Sequence, residues 1–331
     1  MSHLHFHTII AKTNADLGHQ LGERFGKEFE VGLGRRASDP LWGERVDRAQ
    51  DLLDICESFF PHLIEELEGY ARGAKADFRE LWALNLEDEL GEIVPSEKCT
   101  SMVTNGGLLI GHNEDWETGA EDAVCLLKKT VGDLTIFEFF YYNTLGGNAV
   151  GVNSNGFVHA VNSLSSSDLQ FGVPRNVLAR WFSETDDPDS DFRRMASVPR
   201  SSSYGYNLVS SQGDLWCIEA TAKKQNLLRP ETPFVHTNHY VGELKVFEAT
   251  QNSTSTYERF EIASKGLKPK MSVTELINLS GDQSKGPRSS LLNERTVGRM
   301  VIDLENLLAH VWLAREANKG WVAYPLEFMG V

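Results

Sequence analysis

The sequence changes its hydrophobic period near residue 95, and this change limits the folds that the chain can adopt. Before it, apolar residues recur every three or four positions, a pattern that predicts amphipathic helices. After it, alternating runs separated by turns rich in Gly and Asn predict β-hairpins. Helices gathered ahead of strand hairpins favour an α+β fold with antiparallel sheets over alternating βαβ units.

The predicted elements follow this division. Helical stripes occupy the first third of the chain, at 15–29, 48–60, 63–73 and 77–90. The predicted hairpins lie at 99–113, 123–142, 148–162 and 207–220, with a helix near 176–183 between the last two. The C-terminal part is predicted to return to helix, at 273–279 and 294–317.

Charge and composition exclude several classes of protein. The 331 residues include 32 Lys and Arg against 47 Asp and Glu, a net charge of −15 at pH 7. A chain this acidic repels phosphate backbones, so we expect no nucleic-acid partner. No apolar run approaches the ~18 residues that a membrane span needs. The N-terminal residues lack the basic and apolar segments of a secretory signal, which favours a cytoplasmic location.

Four cysteines are too few and too scattered for a disulfide framework or a zinc ribbon. Cys56 falls on an apolar helical stripe, and Cys125 and Cys217 lie inside strand runs, so we expect these three to pack in the core. Cys99 differs, because it opens a strand directly after the polar segment 94–98. A thiol in that position is a candidate nucleophile.

Histidines do not predict a metal site. His236 and His239 lack a third ligand nearby, and the alternating His3, His5 and His7 are expected on the surface. The Gly-rich segment at 32–37 is not preceded by a strand, so it does not predict a dinucleotide site. We therefore expect neither a metal nor a cofactor.

Several motifs follow one another in a characteristic order. Cys-Thr-Ser opens at Cys99, and the later segments are 111–116 (GHNEDW), 151–156 (GVNSNG) and 236–240 (HTNHY), with a helical segment at 60–73 ahead of them. In this order they resemble the penicillin acyltransferase-like (acyl-CoA:6-aminopenicillanate acyltransferase) family of N-terminal nucleophile hydrolases. The resemblance implies a four-layer αββα sandwich, with two stacked antiparallel sheets between outer helices.

The resemblance also implies self-cleavage between Lys98 and Cys99. Residues 1–98 would be the helical pro-segment, or α chain, and residues 99–331 the β chain, the two fragments remaining partners in one integrated domain. The freed α-amine of Cys99, with a pKa near ~7.7–8.0, would serve as the base for its own thiol. One departure is that the resembled acyltransferase has Gly before its nucleophile, whereas this chain has Lys98.

Further site roles follow from the hairpin and the resemblance. A hairpin returns the chain to its start, so Asp115 can approach Cys99 and orient its amine or that of the substrate. Asn238 is the candidate oxyanion donor. The remaining candidates, which could donate through the backbone or shape the site, are His112, Asn113, Asn153 and Asn162.

The expected activity is hydrolysis or transfer of the acyl group of a small N-acyl compound through a Cys99 thioester. Hydrolysis is favoured, because water is always present and Lys and Arg are too dispersed to indicate a CoA phosphate site. Three alternatives stay open: an uncut, non-catalytic protein of the same fold, an uncut hydrolase with His112 as base, and an acyl-CoA-dependent N-acyltransferase. A homo-oligomer also stays open.

Overall fold

The computed structural model describes residues 2–90, 99–249 and 254–330, with the backbone alone at 87 and 88. These parts form ten α-helices and fourteen β-strands. The helices are α1 (Asn14–Ala37), α2 (Trp42–Gln50), α3 (Leu53–Phe59), α4 (Pro61–Ala74), α5 (Phe78–Asn85), α6 (Glu87–Leu90), α7 (Arg175–Phe182), α8 (Pro188–Met195), α9 (Thr254–Gly266) and α10 (Val273–Ser280). The strands are β1 (Phe6–Ala11), β2 (Cys99–Thr104), β3 (Leu109–Asp115), β4 (Val124–Val131), β5 (Leu134–Tyr141), β6 (Val150–Asn153), β7 (Phe157–Ser163), β8 (Tyr204–Ser210), β9 (Leu215–Ala220), β10 (Gln225–Leu228), β11 (Phe234–His236), β12 (Thr296–Asp303), β13 (Leu308–Leu313) and β14 (Val322–Pro325).

The strands form two sheets. The eight-stranded sheet has the order β1-β4-β5-β6-β7-β8-β9-β10, and the six-stranded sheet has the order β11-β2-β3-β12-β13-β14. The pairs are antiparallel apart from β1 and β4, which are parallel. The four predicted hairpins are present, whereas β1 was not predicted as a sheet strand.

The two sheets stack face to face, and helices cover both outer faces. The core between the sheets includes Val103 and Met300 from one sheet and Leu126, Phe137 and Val152 from the other. The outer face of the eight-stranded sheet packs on α1, α4, α5 and α7, and that of the six-stranded sheet packs on α9 and α10. The predicted four-layer αββα sandwich is confirmed. In the described parts of the chain, no helix is both long enough and apolar enough to cross a membrane.

The predicted helix at 294–317 is wrong, because β12 and β13 occupy most of that range. Every residue of β12 is buried: Met300 and Ile302 face the core between the sheets, while Val301 faces the outer helices. Because both faces are buried, the apolar residues of β12 do not alternate with polar ones, and its sequence lacks the period of two that identifies a half-exposed strand. The missing alternation is the physical reason for the error.

Glycines bring α1 and α4 into close contact. A β-carbon added at Gly18 would overlap the carbonyl oxygen of Glu66, and one at Gly69 would overlap that of Ala15. Glu66 also forms a buried ion pair with Arg180 of α7, at 3.0 Å. The N-terminal segment is therefore part of the sandwich: β1 extends a sheet, and α1 and α4 form its outer layer.

Two alanine substitutions on α1 should change stability in opposite directions. Gly18→Ala should destabilise the protein by about 2 kcal/mol, because two helix backbones must move apart. Gly34→Ala, where a β-carbon meets nothing within 4 Å, should stabilise it by about 1 kcal/mol through helix propensity. Thermal unfolding of the two variants measures the direction of each change in stability. A shift in the same direction for both would contradict this account of the helix contact.

Candidate active site

Cys99 is the first residue of β2, an interior strand that pairs with β11 and β3. Its register partner is Glu114, so both side chains lie on one face of the sheet. The thiol donates a hydrogen bond to Glu114 Oε2 at 3.3 Å. Burial, with the nearby carboxylates of Glu114 and Asp115, raises the pKa of the Cys99 thiol well above its ordinary value. Its surroundings therefore favour the protonated thiol.

The other three cysteines have a different environment. Cys56 and Cys125 lie in the apolar core on the helix side of the eight-stranded sheet, and Cys217 lies in the core between the sheets. Cys99 is equally buried, at 3% exposure, but belongs to none of these apolar clusters. Its polar surroundings separate it from the three cysteines that pack in the core.

Glu114 is the centre of a hydrogen-bond cluster that sequence analysis missed. Its Oε2 accepts from the Cys99 thiol and lies 2.9 Å from His112 Nε2. Its Oε1 accepts from the Tyr141 hydroxyl of the facing sheet at 2.7 Å. His112 and Glu114 share a face of β3 because they are two residues apart. The predicted candidate His112 thus reaches the thiol through Glu114.

Arg259 and Asn238 hold the backbone of Cys99. The Cys99 N–H donates to Asn238 Oδ1 at 3.2 Å, and Arg259 Nη2 donates to the same oxygen at 2.7 Å. Arg259 Nη1 donates to the Cys99 carbonyl and to Thr100 Oγ1, both at 2.7 Å. Asn238 Nδ2 donates to the Ser163 carbonyl at 2.9 Å. The fork of one buried guanidinium therefore fixes both Cys99 and its amide partner.

Sequence analysis missed Arg259. Arg259 lies on α9 between the buried residues Ser255 and Ala263, at a spacing of four. An arginine on the buried stripe of a helix needs specific partners, because burying a charge is costly unless it is paired. Its neighbours on the buried stripe are small or polar, so the structure shows this position where the sequence pattern does not.

Asp115 ends β3 and is fully buried near Arg259. Its carboxylate accepts hydrogen bonds from Asn293 Nδ2 at 2.8 Å and from Thr296 Oγ1 at 2.6 Å. Burial raises the pKa of Asp115, and the charge of Arg259 and the two hydrogen bonds oppose this shift. Asn293 and Thr296 thus bind Asp115, while the Cys99 N–H donates to Asn238 Oδ1.

The other predicted residues take varied places. Lys98 lies outside the described residues. Asn113 donates to the carbonyls of Ser280 and Leu291, on the helix side of its strand. Asn153 donates to the carbonyls of Ser183 and Thr185, away from Cys99. Asn162 accepts a hydrogen bond from Ser101 at 2.7 Å, next to the cluster.

A cavity of about 450 Å³ lies beside this cluster. Tyr141 connects the two, because it lines the cavity and its hydroxyl donates to Glu114. Trp116 packs against Tyr141 with ring centroids 5.4 Å apart and also lines the cavity. Helix α1 forms another wall, and Arg36 and Arg315 line it with their carboxylate partners Glu117 and Asp122. A ligand with an aromatic or apolar part and polar groups fits this lining.

Comparison with known proteins gives matches to one group of acyl-transferring enzymes. The family model "Acyl-coenzyme A:6-aminopenicillanic acid acyl-transferase" matches residues 102–311. The β-alanyl-dopamine/carcinine hydrolase of Drosophila melanogaster is 27% identical over 211 residues, 55% of this chain and 54% of that protein. The match thus spans about half of that hydrolase. The 40 kDa form of acyl-coenzyme A:6-aminopenicillanic-acid-acyltransferase of Emericella nidulans is 22% identical over 246 residues, 70% of this chain and 69% of that protein.

Solved structures were also compared. Penicillin V acylase from Agrobacterium tumefaciens has a TM-score of 0.44 at 13% identity, covering 65% of this chain and 83% of that chain. A variant of conjugated bile acid hydrolase from Clostridium perfringens has a TM-score of 0.46 at 12% identity, covering 70% of this chain and 94% of that chain.

Replacing Arg259 should lower the stability of the protein, because Arg259 holds the backbone of Cys99. Arg259→Lys keeps the charge but cannot serve Asn238, Thr100 and the Cys99 carbonyl together, so we expect a loss of about 2 kcal/mol of stability. The control Arg288→Lys changes a side chain that is 84% exposed and should stay within about 0.5 kcal/mol of wild type. The urea unfolding midpoint of each variant measures its stability. Equal midpoints for the two variants would refute the role of Arg259 in holding Cys99 and Asn238.

Proposed function

The chain belongs to the acyl-coenzyme A:6-aminopenicillanic acid acyltransferase family, and from this premise we propose that it is a self-processing cysteine amidohydrolase. The observation that supports this most is the environment of Cys99, whose thiol is buried among hydrogen-bonding groups at the start of an interior strand. Its substrates are small N-acyl compounds. Both relatives compared above are named as enzymes, one a hydrolase and the other an acyltransferase.

In the first step, the protein cleaves its own Lys98–Cys99 bond. The Cys99 sulfur attacks the Lys98 carbonyl, the thiol proton passes to Glu114, and the bond to the Cys99 nitrogen breaks as that nitrogen takes up a proton. Water then hydrolyses the thioester, which leaves a Lys98 carboxylate and a free Cys99 amine and thiol. The hydrogen bond from the thiol to Glu114 supports this route, because the amide nitrogen of an uncut chain cannot act as a base.

In turnover, the freed amine of Cys99 takes the thiol proton during attack on the substrate amide. Because burial and neighbouring carboxylates raise the pKa of this thiol, we expect proton transfer to accompany attack rather than precede it. The acyl group forms a thioester on Cys99, and the protonated amine returns its proton to the leaving amine. Asn238 Nδ2 is the amide donor we assign to the developing oxyanion.

The substrate occupies the cavity lined by Trp116, Tyr141 and Tyr142, next to Glu114. Water accepts the acyl group, which makes the reaction a hydrolysis. Residues 1–98 and 99–331 stay together as two fragments, because β1 pairs with β4 and Glu66 pairs with Arg180 across the cut. The four free cysteines fit the reducing cytoplasm.

Removing the nucleophile should abolish both steps. Wild type should separate into two masses with a break at 98/99, whereas Cys99→Ala should remain one chain of 37.0 kDa without amide hydrolysis. The control Cys56→Ala changes a core thiol and should still cleave and turn over. Intact-mass measurement and a screen of N-acyl amino acids and amines for amine release give the two readouts. Normal turnover by Cys99→Ala would refute the proposal.

Glu114 should matter for self-cleavage in particular. Glu114→Gln keeps the shape of the side chain but cannot accept the thiol proton, so fragments should appear about 100-fold more slowly. Glu117→Gln, a nearby carboxylate that pairs with Arg36 at 3.7 Å, is the matched control and should cleave at the wild-type rate. A time course of the uncut chain on gels measures this. Equal rates for the two variants would exclude Glu114 as the proton acceptor.

A further inference from the structure

We propose that Cys99, His112 and Glu114 form a binding site for a soft divalent cation of the Zn²⁺ type, which blocks the nucleophile when bound. Sequence analysis expected no metal site from the spacing of the histidines and cysteines. Two of the ligands proposed here face the third across a hairpin, an arrangement that leaves no linear motif. The binding itself rests on geometry alone. Its inhibitory effect rests on the proposed role of Cys99.

The three candidate ligand atoms are already close together. Cys99 Sγ, a His112 ring nitrogen and a Glu114 oxygen all lie within 4.8 Å of one another. Glu114 Oε2 is 3.3 Å from the sulfur and 2.9 Å from His112 Nε2. Ligand atoms around a tetrahedral zinc are about 3.3–3.5 Å apart, since the bonds are about 2.0–2.3 Å long. Small side-chain movements therefore suffice to admit the ion.

The hydrogen bonds behind His112 orient it as a ligand. Asn162 Oδ1 accepts from Asn207 Nδ2 at 2.9 Å and from the Ser101 hydroxyl at 2.7 Å. Since this uses the only proton of the Ser101 hydroxyl, the contact of 3.0 Å between Ser101 and His112 requires His112 Nδ1 to donate. Nε2 is thus the nitrogen that faces the cluster. Ligating histidines in proteins are held in this way, by a hydrogen bond from the other ring nitrogen.

Glu114 has a supporting partner as well. The Tyr141 hydroxyl donates to its Oε1 at 2.7 Å, which leaves Oε2 directed at the sulfur and the imidazole. Among the three ligands, no side chain is more than 3% exposed. A thiolate, an imidazole and one carboxylate oxygen are the donors that zinc prefers, whereas Mg²⁺ and Ca²⁺ require oxygen ligands.

Charge balance also favours a divalent ion. With Nδ1 donating to Ser101, one proton must lie between His112 Nε2 and Glu114 Oε2, because two lone pairs 2.9 Å apart would repel. The Cys99 thiol holds a second proton. A divalent cation replaces these two protons and leaves thiolate, neutral imidazole and carboxylate around it. The buried cluster keeps its net charge, so the exchange avoids the cost of an uncompensated buried charge.

Cobalt(II) is the probe that tests the binding directly. Titrating the full-length protein with Co²⁺ should give one equivalent of tetrahedral cobalt with a thiolate-to-cobalt charge-transfer band, and Zn²⁺ but not Mg²⁺ should displace it. His112→Gln and Glu114→Gln should weaken binding about 100-fold, and Cys99→Ser should remove the charge-transfer band. His159→Gln and Cys217→Ser, a buried histidine and cysteine outside the cluster, should bind as wild type does.

Ser101→Ala provides a milder variant that retains all three ligands. Loss of the hydrogen bond to His112 Nδ1 should weaken cobalt binding about 10-fold, as other supporting partners of metal ligands do. No cobalt binding by a folded wild-type protein, or binding without the sulfur band, would overturn the proposal. So would wild-type cobalt affinity in the three ligand variants.

Enzyme assays separate this proposal from the proposed function. Zn²⁺ should stop amide hydrolysis by the wild-type protein, and a chelator should restore it. A protein that binds cobalt through Cys99 but hydrolyses no amide would refute the activity and leave the site standing. A protein that hydrolyses amides at full rate in saturating Zn²⁺ would overturn inhibition at this site.

Discussion

The register between β2 and β3 is the constraint on which the site depends. It places Cys99 opposite Glu114, and it places Ser101 opposite His112 on the same face. A slip of one residue would turn every side chain of one strand to the other face and separate the thiol from this carboxylate. The register is held by burial on both sides, since Val103 and Ile110 lie in the core between the sheets while Met102 and Leu109 pack against the outer helices. The polar cluster exists because the apolar residues next to it allow only one alignment.

The hairpin that carries the candidate nucleophile could be predicted from its Asn-Gly-Gly turn, and so could the strand that faces it. The sequence alone does not define the register, so sequence analysis named Asp115, as a partner of the Cys99 or substrate amine, but did not identify Glu114 as the partner of the thiol. In the structure Thr104 pairs with Leu109 around the turn, which puts Glu114 opposite Cys99. Arg259 was harder to find, because it comes from a helix 160 residues further along the chain. Only the three-dimensional fold brings that helix to β2.

The layers of the sandwich could be predicted where a helical stripe or a turn delimits the element, as in α1 or the 123–142 hairpin with its Gly132-Asp133 turn. Prediction failed for β12, which is buried on both faces and pairs with β3 and β13. Its residues show neither the alternation of a half-exposed strand nor a clear helical stripe, so periodicity alone cannot distinguish the two. The same interior position makes β12 important for the site, because Thr296 at its start binds Asp115.

The hydrogen bonds around Cys99 explain how one arrangement can serve both a peptide and a free terminus. In the uncut chain, its nitrogen is an amide that donates to Asn238 Oδ1, and Arg259 holds that oxygen and the Cys99 carbonyl. A free amine at the same position still has protons to donate, so the Asn238 contact does not depend on the state of the bond to Lys98. Arg259 donates to the Cys99 carbonyl, to Thr100 Oγ1 and to Asn238 Oδ1. None of these groups would be lost if the bond to Lys98 were cut. Under the proposed self-cleavage, the geometry that we assign to turnover would therefore already be assembled before the cut, which would change only whether the nitrogen can accept a proton.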